Sequence, residues 1–460
     1  MTARFDQLSL APSTLANLDQ LGYHTMTPIQ AAALPLALAG HDVIAQAKTG
    51  SGKTAAFALA LLSRLQTRRF DVQALVLCPT RELAEQVTQE IRRLARAEEN
   101  VKVLTLCGGA AIRPQVASLE HGAHVVVGTP GRILDHLERG SLALATLNTL
   151  VLDEADRMLD MGFFDDIAAV AKQCPPQRQT LLFSATYPEG IAQLSARFLR
   201  QPKEVKLTET HAAGQIRQRF YEVADTDRLH AVGRLLNHFR PASTLAFCNT
   251  KQQCRDLVDV LTAEGLSALA LHGDLEQRDR DQVLVRFANG SCSVLVATDV
   301  AARGLDIAGL EAVLNVDIAA DAETHVHRVG RTGRADADGW AWSFASLDEM
   351  GRVGRIEQAQ GIVSDWHPID ELKPAPGGPL QPPRITLQIL GGRKEKIRAG
   401  DVLGALTKDA GFAAAQIGKI NVNDFSTYVA VDRDIAHDAL RKLNAGKVKG
   451  RSVKVRFLDD

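Results

Sequence analysis

Paired cysteines, long apolar runs and a strong net charge are all missing from this 460-residue chain. Its six cysteines, Cys78, Cys107, Cys174, Cys248, Cys254 and Cys292, are scattered, and none belongs to a Cys-x-x-Cys pair. That argues against a zinc site or a disulfide framework. Most sit in apolar, strand-like runs, where a thiol behaves as a small hydrophobe. A reducing, cytoplasmic location is therefore expected. No apolar run approaches the roughly 18 residues of a membrane span, so no membrane partner is expected. The start, Met1-Thr2-Ala3-Arg4-Phe5-Asp6, lacks the apolar core of a signal peptide. Low-complexity tracts and short repeats are also absent. The net charge of −1 conceals an asymmetry: residues 384–460 hold 15 Lys/Arg against 9 Asp/Glu, a net of +6 that leaves −7 on the rest. A basic module on an acidic body points to a polyanionic partner for that module.

What the chain does have is Ala47-Lys48-Thr49-Gly50-Ser51-Gly52-Lys53-Thr54, between the apolar run Val43-Ile44-Ala45 and a helix-forming run at 55–62. Strand, glycine-rich loop and helix are the context of a phosphate-binding loop. Gly50 and Gly52 let backbone N–H groups turn toward a phosphate, and the helix N-terminus adds a positive dipole end. Lys53 can reach the β- and γ-phosphates, and the Thr54 hydroxyl can ligate Mg²⁺. The second strong signal is Asp153-Glu154-Ala155-Asp156 after the apolar strand Leu150-Val151-Leu152. Alone, such an acidic cluster is more often a helix start. Paired with Lys53, it places Asp153 to hold Mg²⁺ through water and Glu154 to orient or deprotonate an attacking water.

Short apolar runs alternate with helical patterns along most of the chain. Strands are expected at 43–45, 74–77, 101–106, 125–127, 150–152 and 180–183, and again at 219–223, 244–247, 268–271, 294–297, 312–316 and 341–344. Alternation of this kind gives parallel sheets with helices on both faces. Residues 1–207 and 214–370 therefore read as two α/β domains. The proline-rich stretch 371–383 reads as a linker. Residues 384–460 read as a β-α-β-β-α-β domain, with strands at 385–390, 417–422, 427–431 and 453–457 and helices at 401–410 and 435–443.

These motifs, in this order, resemble the DEAD-box RNA helicases across about residues 5–345. The resemblance implies two RecA-like parallel-sheet domains and RNA-dependent hydrolysis of ATP with Mg²⁺. It assigns Phe5, Tyr23 and Gln30 to the adenine, where an amide both donates and accepts. Ala47, Lys48, Thr49, Gly50, Ser51, Gly52, Lys53 and Thr54 would bind the phosphates, with Asp153 beside them. Thr80, Arg81, Gly108, Gly109, Thr129, Pro130 and Arg132 would grip the RNA sugar-phosphate backbone, as hydroxyls, helix starts and guanidinium groups suit. Ser184 and Thr186 would couple hydrolysis to strand separation. In the second domain, Asn249, Gly273, Gln277, Arg280 and Thr298 match RNA-side motifs, while Gly304 and Asp306 match the segment that meets the nucleotide. His327 falls in the coupling motif. Arg331 and Arg334 fall where the family has arginine fingers for the transferring phosphoryl group. They and Lys53 lie in opposite domains, so catalysis is expected to require closure.

The last domain is similar to an RNA recognition motif, and the order of domains resembles the bacterial DbpA group. In that group this domain recognises a structured segment of 23S ribosomal RNA in the large ribosomal subunit precursor. The usual stacking aromatics are reduced: Ser426 stands at the first position on the third strand, Tyr428 at the second, and Thr386 replaces the one on the first strand. Basic residues cluster instead at Arg393, Lys394, Lys396, Arg398 and at Lys447, Lys449, Arg451, Lys454, Arg456. A shape-and-phosphate mode suits these better than sheet-face reading; a protein-docking role is the alternative. The expectation is thus a monomeric, α/β ATP-dependent RNA helicase with a C-terminal α+β RNA-binding domain. An ATP-gated RNA clamp would use the same motifs.

Overall fold

The computed structural model describes residues 3–47, 50–187, 189–207, 216–302, 310–333 and 338–458. Contacts divide it into two units, one before and one after 208–215. In the first, β1 (Val43–Gln46), β2 (Ala74–Leu77), β3 (Val103–Leu106), β4 (Val125–Gly128), β5 (Thr149–Leu152), β6 (Gln179–Ser184) and β7 (Lys203–Lys206) form one sheet. Their order is β3-β4-β2-β5-β6-β1-β7, and every neighbouring pair is parallel. The central strands are apolar on consecutive residues because both faces are covered. On β1, Val43 and Ala45 enter one core with the helix Lys53–Leu62, and Ile44 enters the other. The covering helices are amphipathic: Arg81–Leu94 buries Leu83, Val87, Ile91 and Leu94, a single stripe. β7 is not expected from the sequence. Of its four residues only Val205 is buried, which is all that an edge strand needs.

The second unit repeats this topology with β8 (Ile216–Glu222), β9 (Thr244–Phe247), β10 (Ala268–Leu271), β11 (Val294–Ala297), β12 (Ala312–Asn315), β13 (Gly339–Ala345) and β14 (Trp366–His367). The order β10-β11-β9-β12-β13-β8-β14 is that of the first sheet, position for position, and again all parallel. β14 too escapes the sequence, being two residues long.

Beyond it lie β15 (Arg384–Ile389), β16 (Ile417–Val422), β17 (Thr427–Asp432) and β18 (Val455–Phe457), an antiparallel sheet in the order β16-β17-β15-β18. Leu387, Ile389, Val429 and Val431 face two helical segments and form the core with Val402, Leu406, Ala439 and Leu443. The helix Ala399–Gly404 continues into a π turn at Ala405–Asp409, so the expected helix at 401–410 is not uniform. The opposite face of the sheet is covered as well. Thr386 is 1% exposed and is hydrogen-bonded to Asn289 Nδ2 (3.2 Å) and Ser291 Oγ (2.6 Å), in the turn before β11. The Arg384 N–H donates to Gly290 O.

Residues 373–383 hold neither helix nor strand, as expected, yet they are no loose tether. Leu372 and Leu380 pack into the core of the second α/β domain. Ala375 N donates to Asn237 O, Leu380 N to Asn237 Oδ1, and Arg240 to Gly378 O. The strap is fastened to the helix Arg228–Phe239 and its C-cap. Among the described residues no helix is long and apolar enough to cross a membrane. All six cysteines are buried and unpaired with one another as disulfides. Burial pushes the Cys107 thiol up to about 12 and Cys174 to about 11, so neither is a reactive thiolate.

Candidate active site and nucleic-acid interface

The nucleotide candidates converge in the first unit. A cavity of about 560 Å³ is lined by Tyr23, Gln30, Lys53, Thr54, Asp153 and Glu154, within the range of small-molecule sites. Its floor is the turn from β1 into the helix Lys53–Leu62. Gly50 and Gly52 adopt φ of 81° and 90°, a conformation costly for other residues. A Cβ on Gly52 would also meet Gln30 Nε2 at 2.6 Å. The Lys53 ammonium donates to Ala47 O at 2.6 Å, so a phosphate entering the loop would compete for it. Lys48 and Thr49 lie outside the described residues.

Gln30 joins the candidate adenine segment to this loop. Its side-chain oxygen accepts from Thr27 N (2.9 Å) in a capping box at the start of the helix Pro28–Leu38. Its amide nitrogen donates to Gly52 O (3.1 Å). Tyr23 stands at the cavity edge, with its hydroxyl donating to Glu90 (2.6 Å) and Arg93 over its ring at 5.6 Å. Burial, then the Glu90 carboxylate, push this phenol well above its usual range. Phe5 is buried and meets Tyr23 edge-on, with ring centroids 6.2 Å apart; it backs the aromatic.

The acidic cluster follows β5. Asp153 and Glu154 are 3% and 4% exposed. Burial, then the neighbouring Glu154 carboxylate, push Asp153 up to about 7. Two buried carboxylates held side by side suit a divalent cation. Among the described residues no group of three His, Cys, Asp or Glu could hold a metal by itself. Mg²⁺ bound by one carboxylate, a hydroxyl and substrate phosphates needs no such cage; Asp153 and Thr54 could supply the first two.

Glu154 adopts a left-handed conformation, φ 51° and ψ 51°. Such strain costs on the order of 1–3 kcal/mol and gathers at functional sites. Its carboxylate pairs with Arg157 at 2.9 Å, both side chains buried. Arg157 carries no motif signal of its own in the sequence; only its place three residues after Glu154, the N-cap of its helix, points to the pair. Asp156 turns the other way. Its Oδ2 accepts from Ala185 N, Thr186 N and the Thr186 hydroxyl, and its own N–H donates to Ser184 Oγ. Although burial opposes it, the Lys53 ammonium and the Thr186 donors hold this carboxyl below its usual range. The acidic motif and the Ser184–Thr186 pair are therefore one hydrogen-bonded piece.

The RNA-side candidates of the first unit follow β2, β3 and β4, three adjacent strands: Thr80 and Arg81, Gly108 and Gly109, and Thr129, Pro130 and Arg132. Loops at the C-terminal ends of a parallel sheet share one rim. Thr80 caps its helix by accepting from Leu83 N, and Arg132 donates to Ala110 O. In the second unit Asn249, Gly273 and Thr298 follow β9, β10 and β11, the same three sheet positions. Arg280 donates to Ala301 O, one turn beyond Thr298.

Arg328, which the sequence left without a role, braces this rim. It is 2% exposed and uses its whole fork. It donates to both Asp299 oxygens (2.7 Å each), Asn249 Oδ1 (3.1 Å), Asn315 Oδ1 (3.3 Å) and Asp317 O (2.7 Å). Asp317 in turn accepts from Asn249 N, Gln253 and Arg228. The same helix, Ala322–Val329, carries the half-buried His327 and leads into the buried Arg331. Arg328→Lys keeps the charge but loses the planar fork. It should destabilise the second unit by about 1–3 kcal/mol through unpaired acceptors. All three tryptophans, Trp340, Trp342 and Trp366, lie in that unit, so tryptophan emission during urea unfolding reads it; an unchanged midpoint would contradict the bracing role. Gly304, Asp306 and Arg334 lie outside the described residues.

In the C-terminal domain Lys447, Lys449 and Arg451 are exposed, whereas Tyr428 is only 7% exposed and its hydroxyl accepts from Gln388.

The chain matches the DEAD/DEAH box helicase family over residues 27–194, the helicase conserved C-terminal domain over 227–336 and the DbpA RNA binding domain over 386–457. It is 54% identical to the ATP-dependent RNA helicase DbpA of Escherichia coli, across all of both chains. It is 44% identical to the DEAD-box ATP-dependent RNA helicase CshA of Geobacillus kaustophilus, over 77% of this chain and 76% of that one. Among solved structures, S. cerevisiae Dbp5 bound to RNA and ADP BeF3 superposes with a TM-score of 0.73 at 31% identity, covering 80% of this chain and 96% of Dbp5. The repeated parallel sheets are thus the RecA-like pair, and the chain belongs to the DEAD-box ATP-dependent RNA helicases, with an RNA-binding domain of the DbpA type at its C-terminal end.

Proposed function

We propose that this helicase remodels structured RNA, specifically 23S ribosomal RNA during assembly of the large ribosomal subunit, as a cytoplasmic monomer. The observation that carries the reading is the pairing of a DbpA-type domain with exposed basic loops, while its sheet face is covered at Thr386 and Tyr428. Phosphate contacts from Lys447, Lys449 and Arg451 would then hold a folded RNA element. The fastened strap at 373–383 would fix where that element stands relative to the second α/β domain.

In hydrolysis, Gln30 and Tyr23 position the adenine and Lys53 leaves Ala47 O for the phosphates. Mg²⁺ held by Asp153 and Thr54 would neutralise phosphate charge. Glu154, aimed by its backbone and by Arg157, orients the attacking water. Asp156 passes changes at this site to Ser184 and Thr186. Arg331 and Arg334, from the other unit, complete the site when RNA and ATP bring the two units together. An ATP-gated clamp that only times RNA release is the second reading, favoured by the same residues.

The test is RNA-stimulated ATPase activity of the full chain, titrated with 23S ribosomal RNA and with poly(A). Half-activation should come at far lower 23S concentration. Changing Lys447, Lys449 and Arg451 together to Ala should erase that preference. It should also lower the slope of log affinity against log salt by about 2–3, at roughly 0.7–0.9 per phosphate contact. Equal half-activation by the two RNAs in the parent chain would contradict the rRNA reading.

A further inference from the structure

The C-terminal domain exposes one aromatic ring where nothing in the fold requires it. Phe425 is 71% exposed, in the connection 423–426 between β16 and β17. Turns favour Asn, Asp, Ser and Gly for backbone reasons, and its neighbours Asn423, Asp424 and Ser426 conform. A phenylalanine there gains nothing from the turn and leaves apolar surface in water.

The turn that carries the ring is also held firmly. Asn423 N donates to Ser426 O (2.8 Å), closing the turn. Arg393 N donates to Asn423 O (2.8 Å) and Lys394 N to Asp424 O (3.0 Å), clamping the turn against the loop after β15. Gly392 makes that clamp possible: a Cβ there would stand 2.1 Å from Asn423 O. A third loop, the second basic one, joins in, since Lys449 donates to Lys396 O and stands 3.9 Å from Asp401. Arg393 also pairs loosely with Asp424, at 3.7 Å and exposed. Three loops are thus joined into one platform that carries Arg393, Lys394, Lys396 and Lys449 together with the exposed Phe425.

We propose that Phe425 is a stacking anchor for an unpaired RNA base whose neighbouring phosphates are held by Arg393, Lys394 and Lys449. Every base offers a π-face to such a ring, and unpaired bases in RNA loops and bulges are the ones that can be splayed onto it. The inference rests on the reading that this domain binds RNA. It adds an aromatic contact that the covered sheet face does not supply.

The test measures binding of full-length 23S ribosomal RNA transcript by the nucleotide-free full chain across a salt series. Phe425→Ala and Phe425→Ser, the latter a natural turn residue, should each weaken binding about 5–150-fold. Because no charge is lost, the salt slope should stay unchanged. Phe425→Trp should retain affinity, and its added emission should be quenched on RNA binding. If both small substitutions leave affinity within about twofold while the Lys447, Lys449 and Arg451 triple change weakens it, the anchor is wrong and the RNA-binding reading stands. If neither set alters binding, that reading itself fails, and the anchor with it.

Discussion

Glu154→Gln should lower kcat about 10²–10⁴-fold while ATP and RNA affinities stay within a few-fold of the parent. The substitution keeps size and leaves an oxygen that can still accept from Arg157, now 2.9 Å away. What it removes is the negative charge that, in the proposed role, orients and deprotonates water. The left-handed backbone at φ 51° is a feature of the turn and applies to both side chains alike. With binding intact and hydrolysis blocked, the variant should accumulate as a long-lived complex with ATP and RNA. Single-turnover ATPase measurements read the first effect, and RNA dissociation in the presence of ATP reads the second. Activity like that of the parent would remove Glu154 from the role assigned to it.

Arg331→Ala should also act on turnover rather than on binding. A guanidinium aimed at the transferring phosphoryl group stabilises charge that develops only in the transition state. Its loss should lower kcat on the order of 10³-fold with little change in ATP affinity. The same is expected of Arg334→Ala. Arg331 is buried in this structure, and its N–H donates to Arg328 O. Urea unfolding followed by tryptophan emission therefore belongs beside the kinetics, to separate lost chemistry from a loosened second unit. Arg331→Lys retains charge without the planar fork and should not restore turnover. A variant altered only in ATP affinity, with kcat unchanged, would show that Arg331 merely binds nucleotide.

Much of this was legible in the sequence because its signals are local. A strand buried on both faces must be apolar throughout, so Ala74–Leu77 and Val294–Ala297 were expected at the residues where they lie. The phosphate loop and the acidic motif carry their chemistry in consecutive residues. What escaped depends on partners distant in sequence. Lys203–Lys206 is a strand only because β1 lies beside it. Leu372 and Leu380 gave no signal amid prolines, yet they dock into a core assembled from residues far upstream. Thr386, expected as a missing aromatic, proves to be a buried hydrogen-bonding contact with Asn289 and Ser291. Arg328 could be placed in a motif but not given its five acceptors, since they come from three separate segments, at 249, 299 and 315–317. Phe425 has no sequence signal of its own; its exposure and its clamped turn are properties of the folded domain alone.

The central claim is that hydrolysis at Glu154 drives cycles of RNA strand separation. It is tested most directly by duplex unwinding with a 23S ribosomal RNA fragment that carries a short annealed strand. The parent chain should release the strand repeatedly with ATP and not at all without nucleotide, and Glu154→Gln should release at most one strand per bound enzyme. Equal release with and without ATP, or ATP hydrolysis with no strand released, would contradict the account and leave an RNA clamp in its place.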